Sequence, residues 1–215
     1  MKNITLALTG MLFLVSCSKD FIIGNGHRIT EIRSLESFTG VAVAGDFRVN
    51  VTRGDTIRVS ITGPSNILPL LETEVDGQTL EVGFKSGSNV ARANTEISIT
   101  MPKLTALTFY GNTIMQTKGV FSGPSLRLNA TGDGKMTLSP SVYKKLFVNN
   151  TGNGLIEAFA TSAESASVTV HGNSRTELNV ENDLTVRLHG DGRVYYQGDP
   201  AVDIAIYGNG KVIKK

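Results

Sequence analysis

Few side chains in this sequence have the type and spacing to do chemistry. Asp133 and Asp191 stand between glycines, in Gly132-Asp133-Gly134 and Gly190-Asp191-Gly192. Paired carboxylates of this kind serve polysaccharide lyases and hydrolases as general acid and base, sometimes with Ca²⁺. His171 and His189 each directly precede the first glycine of the same motif, as do Tyr110 and Tyr207. Two imidazoles one repeat apart could bind a metal or respond to pH. The four rings together form a candidate surface stripe for a sugar ligand. Cys17 is the only cysteine and so the only thiol.

Each chemical reading meets a counter-argument in the neighbouring repeats. Asp133 and Asp191 are three repeats apart, about 14 Å at the strand spacing of a sheet. Asn153 and Asn173 lie between them and cannot exchange a proton. Thr131 and Thr151 occupy the column of His171 and His189, so no third imidazole or thiol completes a metal set. No nucleophile elbow, phosphate-binding loop or zinc spacing is present. No catalytic residue, metal or cofactor is assigned, and the chain reads as a non-enzyme.

The elements that position these residues are set by a repeated tripeptide. It reads Gly111-Asn112-Thr113, Gly132-Asp133-Gly134, Gly152-Asn153-Gly154, Gly172-Asn173-Ser174, Gly190-Asp191-Gly192 and Gly208-Asn209-Gly210. Successive first glycines are 21, 20, 20, 18 and 18 residues apart. A near-constant period of this length marks a repeat architecture. Apolar residues stand four before every first glycine and two before all but Gly152, where Asn150 stands, for example Leu107 and Phe109, or Val186 and Leu188. Four after it come Met115, Met136, Ile156, Thr176, Val194 and Val212. This alternation describes a half-buried strand, a tight turn and a second strand.

Glycine with Asn or Asp suits the left-handed backbone of such a turn. The third position is always small, which implies close stacking. The free exchange of Asn and Asp in the middle implies a shared local role, a side-chain oxygen accepting from nearby backbone N–H groups. A hairpin meander and a β-helix both fit the pattern. Stacked equivalent columns favour the β-helix. The predicted fold is therefore all-β, a right-handed β-helix or solenoid with coils of about 18–21 residues, and a less regular β-rich N-terminal half.

That half carries the ladder's phase at Val41, Val43, Gly45-Asp46, Val49 and Val51, read as an earlier coil. Strands are predicted at 56–62, 79–84 and 95–101, a short helical turn interrupted by Pro69 within 65–75, and a polar loop at 85–94. Residues 53–105 are long enough to fold over the first coils. At the other end Val212-Ile213-Lys214-Lys215 follows the last turn, so weak homodimerisation through an open edge is expected.

Residues 1–16 read as a secretory signal, with Lys2 before an apolar run from Ile4 to Val15 that is too short to span a membrane. The signal ends Leu14-Val15-Ser16-Cys17, similar to the bacterial lipobox, which makes Cys17 the candidate lipidation site. Residues 17–27 then read as a lipidated tether and 28–215 as one domain. Positive and negative side chains nearly balance, 21 Lys and Arg against 19 Asp and Glu, with no basic cluster among aromatics, so no nucleic-acid partner is implied.

The lipobox, the Val41–Val51 coil, the stretch Thr100-Met101-Pro102-x-Leu104-x-x-Leu107 and the Gly-Asn/Asp-Gly ladder together resemble the head GIN domain family. The resemblance covers about residues 28–213. It implies an adhesin-like lipoprotein of the kind common in the Bacteroidetes, and carries over no catalytic or binding residue. The expected function is a lipid-anchored cell-envelope module, binding or structural, with a glycan or protein ligand and most directly at the outer membrane. The alternatives are a polysaccharide-active enzyme on a β-helix and a lipid-binding or envelope-assembly protein.

Overall fold

A computed structural model describes residues 21–91 and 93–215. The signal segment and Cys17 lie outside the described residues. Strands β1 (Ile22–Ile23), β2 (Arg28–Arg33), β3 (Gly40–Ala44), β4 (Phe47–Arg53), β5 (Arg58–Pro64), β6 (Leu71–Asp76), β7 (Thr79–Phe84), β8 (Val90–Ala91) and β9 (Thr95–Met101) form the less regular part. The regular part runs through β10 (Ala106–Tyr110), β11 (Ile114–Lys118), β12 (Ser122–Gly132), β13 (Lys135–Thr137), β14 (Ser141–Gly152) and β15 (Leu155–Gly172). It ends with β16 (Arg175–His189), β17 (Arg193–Gln197), β18 (Ala201–Tyr207) and β19 (Lys211–Lys214).

These strands wind as a β-solenoid. Each coil lays one strand before the Gly-Asx bend and one after it. The strands before the bend pair in parallel as β3, β10, β12, β14, β15, β16 and β18, which builds a first sheet. Those after the bend pair in parallel as β4, β11, β13, β15, β16, β17 and β19, which builds a second. The longest strands cross from one sheet to the next coil's other sheet, so β15 and β16 appear in both. Equivalent residues stack in register, Leu107 on Leu128 and Val168 on Val186.

Alternation decides what is buried. Val41, Leu107, Leu128, Val168 and Val186 face inward from the first sheet, and Val49, Met115, Met136, Ile156 and Val194 from the second, all essentially inaccessible. Burying each such side chain contributes roughly 1.5–3 kcal/mol. Tyr143 is also enclosed, with its hydroxyl donating to the carbonyl of Leu104 at 3.0 Å.

The N-terminal half does not follow chain order. The coil formed by β7 and β9 pairs with β3 and β4, so residues 79–101 lie outside the coil of residues 40–53. β10 and β11 then return to the opposite side of that earlier coil. Antiparallel strands close the outer end: β5 on β9, β2 on β5, and β6 on β7. The β6–β7 reversal uses Asp76-Gly77, with Gly77 at φ 58°.

Strands β5, β7 and β9 match the predicted segments closely, while β2 and β6 were not read from the sequence. Pro69 does not interrupt a turn; it sits inside a short 3-10 segment, Leu68–Leu70, near its start. There its missing N–H has no partner to lose.

Residues 22–27, read as part of a tether, are pinned to this half. β1 pairs with β8. Asn66 Oδ1 accepts from the Asn25 N–H, Asn66 Nδ2 donates to the Ile23 carbonyl, and Asn25 Nδ2 donates to Ser65 Oγ. The partners lie far along the chain, where composition gives no hint of them.

Candidate functional site

The bend columns are shaped by backbone proximity. Gly132, Gly152, Gly172, Gly190 and Gly208 all have φ between 93° and 138°. A methyl group on Gly172 would meet the carbonyl oxygen of Gly152 at 2.7 Å, and one on Gly190 would meet that of Gly172 at 2.8 Å. The small third position is equally enclosed: a Cβ on Gly192 would lie 2.8 Å from Val170 and 2.9 Å from the Ser174 carbonyl.

The Asx column works differently from the local role predicted for it. Asp46 Oδ1 accepts from both the backbone and the side-chain nitrogen of Asn112. Asn153 Nδ2 donates to Asp133 at 2.8 Å, and Asn209 Nδ2 to Asp191 at 3.1 Å. The bonds run between coils, each from an asparagine to the aspartate one coil before it. Along the stack the column reads Asp46, Asn112, Asp133, Asn153, Asn173, Asp191 and Asn209. No two aspartates are neighbours, which spares the ladder like charges about 4.8 Å apart. Asp133 and Asp191 are thus committed to amides on different coils and do not converge.

The ring stripe is a continuous row on the outside of the first sheet. Tyr110, Thr131, Thr151, His171, His189 and Tyr207 are successive register partners. His171 and His189 stack with centroids 4.7 Å apart and planes within 5°; His189 and Tyr207 stack at 4.8 Å and 9°. Tyr110 is separated from them by the two threonines. The stacked rings turn their faces to one another and their edges to solvent. Within the three-ring stack His189 has both faces covered, while His171 and Tyr207 each keep one face that no aromatic ring covers. Among the described residues no group of three or more His, Cys, Asp or Glu side chains could hold a metal ion.

Two features escaped the sequence. The first is a shallow cleft of about 230 Å³ beside Tyr110, floored by Ala42, Ala44 and Gly83 and walled by Glu72, Glu74 and Glu81. Glu74 and Glu81 sit directly opposite each other on β6 and β7. This pairing depends on the antiparallel strand β6, which carries no repeat signature. The second is Asn150, fully buried in a column of aliphatics. Its amide donates to the carbonyls of Gly154 and Arg175 and to Thr176 Oγ1, while Oδ1 has no partner. A polar residue out of phase with an apolar column was its visible signal.

Exposed ion pairs cross-link neighbouring coils on both sheets. The hydrogen bond from Lys135, 2.8 Å away, holds the Glu157 carboxyl below the usual range. Arg187 does the same for Asp203 at 2.6 Å.

The family model described as "Putative auto-transporter adhesin, head GIN domain" matches residues 37–200. Among solved structures, a "putative adhesin" from Bacteroides fragilis superposes with a TM-score of 0.76 at 18% identity, covering 90% of this chain and 100% of its own. A "putative adhesin" from Parabacteroides merdae gives 0.59 at 19%, covering 92% and 100%. A "Putative lipid binding protein" from Parabacteroides distasonis gives 0.56 at 18%, covering 91% and 100%. At these identities the likeness is one of fold. No curated protein matches the chain.

Proposed function

This chain belongs to the family described as "Putative auto-transporter adhesin, head GIN domain", and from that premise we propose that it is a non-catalytic, adhesin-like module of the cell envelope. Its lipid anchor is Cys17, and its place is the outer membrane. The observation that carries this reading is the solenoid's exterior. The coils present long rows of outward side chains, one residue per coil, held in fixed register. Such rows suit an extended ligand. Asp133 and Asp191, the carboxylates that the sequence offered for hydrolysis, are instead hydrogen-bonded within the Asx ladder.

A glycan array probed with the chain beginning at Phe21 tests the binding role. Capture of a defined set of glycans, with no new reducing ends released, is the expected result. Release of reducing ends from a bound polysaccharide would overturn the non-catalytic reading. The anchor is tested by Cys17→Ala, which is expected to remain unprocessed or to leave the membrane fraction. Normal processing and membrane fractionation of that variant would refute lipidation at Cys17.

A further inference from the structure

The near-zero charge balance of the chain conceals a division between the two sheets. Outward residues of the first sheet's N-terminal end include Glu72, Glu74, Asp76 and Glu81, and its C-terminal coils add Asp183 and Asp203, against Arg127, Lys145 and Arg187 in the same sheet. The exterior of the second sheet is basic. The position just after each bend reads Arg48, Ile114, Lys135, Leu155, Arg175, Arg193 and Lys211 in successive coils, all register partners. At the strand spacing this is a straight row about 29 Å long, parallel to the solenoid axis. Lys118 adds a further cation two rows away on the same face.

The acids on this face are already engaged. Glu96 accepts from Asn50 at 3.0 Å, Glu157 pairs with Lys135, and Glu177 with Arg175. Arg48, Lys118, Arg193 and Lys211 are exposed and have no ion-pair partner among the described residues. A depression of about 300 Å³ opens beside the row, lined by Arg48, Asn50, Ile114, Gln116 and Lys118, with Glu96, the register partner of Arg48, as its one acid. The adjoining row supplies Ser98, Asn50, Gln116 and Thr137, and then continues through the ion-paired Glu157 and Glu177 to Tyr195. Their amides and hydroxyls match sugar hydroxyls, while the unpaired cations match carboxylate or sulfate groups.

We propose that the exterior of the second sheet is a docking track for a linear anionic polysaccharide lying along the solenoid axis. This rests on the reading of the chain as a binding module and places the ligand on the other sheet from the His/Tyr stripe, across the Gly-Asx bend that separates the two rows. A line of cations bordered by hydrogen-bonding groups fits a polymer better than a bilayer. The apolar members of the row, Ile114 and Leu155, are single residues separated by a coil with Lys135.

The test is binding of the purified full chain, in detergent, to immobilised polygalacturonate. Neutral dextran, phosphatidylglycerol vesicles and duplex DNA are the contrasting arms. Polygalacturonate should bind, should weaken as salt rises, and should lose at least about tenfold in affinity in the Arg193→Glu/Lys211→Glu variant, because cations that release counterions dominate such contacts. Glu72→Lys/Glu81→Lys on the other face should leave that affinity within about twofold. Thermal unfolding of both variants at the wild-type midpoint excludes misfolding; if the reversal variant unfolds early, Arg193→Gln/Lys211→Gln replaces it with the same expectation at smaller size. Equal binding by the reversal variant, equal binding of dextran or DNA, or capture of vesicles without polygalacturonate would overturn the track. Array hits confined to neutral glycans would remove the track and leave the adhesin-like module standing. Cleavage of bound polygalacturonate would do the reverse.

Discussion

Gly172→Ala isolates the forces that set the coil spacing. Gly172 has φ 93°, which an L-residue adopts at a cost of about 1–3 kcal/mol. Its new methyl would stand 2.7 Å from the Gly152 carbonyl oxygen. That oxygen is fixed, since it accepts from the Asn173 N–H at 2.9 Å. Forcing the methyl in means stretching a stacked coil, and overpacking of this kind costs about 1–3 kcal/mol more. Together the loss is about 2–6 kcal/mol, a large part of the roughly 5–15 kcal/mol that holds a typical domain together. For a domain of this size it corresponds to a fall of about 10 °C in Tm. Gly77→Ala is the matched control. Gly77 also has a positive φ, 58°, but a Cβ there meets nothing within 4 Å. It should cost about 1 kcal/mol, the backbone penalty alone. Thermal unfolding followed by far-UV circular dichroism measures both. Equal losses for the two variants, or a Gly172→Ala midpoint within about 2 °C of wild type, would refute stacking as the reason for glycine.

The Asx ladder predicts opposite outcomes for two small changes. Asp133→Asn keeps an acceptor for Asn153 and should be nearly neutral in urea unfolding, whereas Asn173→Asp places a carboxylate next to Asp191 and should destabilise by about 0.2–1 kcal/mol, less at high salt. Glu157 has its folded pKa lowered by Lys135, so its contribution is full above the unfolded carboxylate pKa and is lost as pH falls through the folded one. Lys135→Met should therefore flatten the acid side of the stability profile, and an unchanged profile would refute the pairing. Tyr143 has its pKa pushed well above the usual phenol value by burial, so ultraviolet titration should show it ionising only with unfolding, after the exposed tyrosines. At the C-terminal end Val202, Ile204 and Ile206 continue the inward row yet are 39–43% exposed. Antiparallel pairing of β18 with a second copy about Ile204 would set Val202 against Ile206 and Asp203 against Ala205, with no like charges opposed. Sedimentation across a concentration series should show weak dimerisation that Ile204→Glu abolishes, and a wild-type chain monomeric throughout would remove it.

The solenoid was legible because its cause is local and repeated. Apolar residues at every second position and a Gly-Asx bend at each period say the same thing in each copy, from Gly111 to Gly210. The same periodicity placed Tyr110, His171, His189 and Tyr207 in one row, since equal offsets from equal bends must stack. What stacks next to what in the N-terminal half was decided by tertiary structure. Nothing local makes residues 79–101 settle outside residues 40–53, or lets β2, β5 and β6 run antiparallel; those choices satisfy open strand edges that exist only once the coils are assembled. The cleft of Glu72, Glu74 and Glu81 follows from that closure. The partners of the Asx side chains also lie one coil away, beyond the reach of a local rule. The basic row lies between these cases. Arg48, Lys135, Arg175, Arg193 and Lys211 each stand three residues after a bend glycine, so the periodicity that aligned the rings aligns them too. Which of them keep a free charge was decided in part by tertiary structure: Glu177 meets Arg175 along one strand, on the same outer face, but Glu157 reaches Lys135 only once neighbouring coils are stacked.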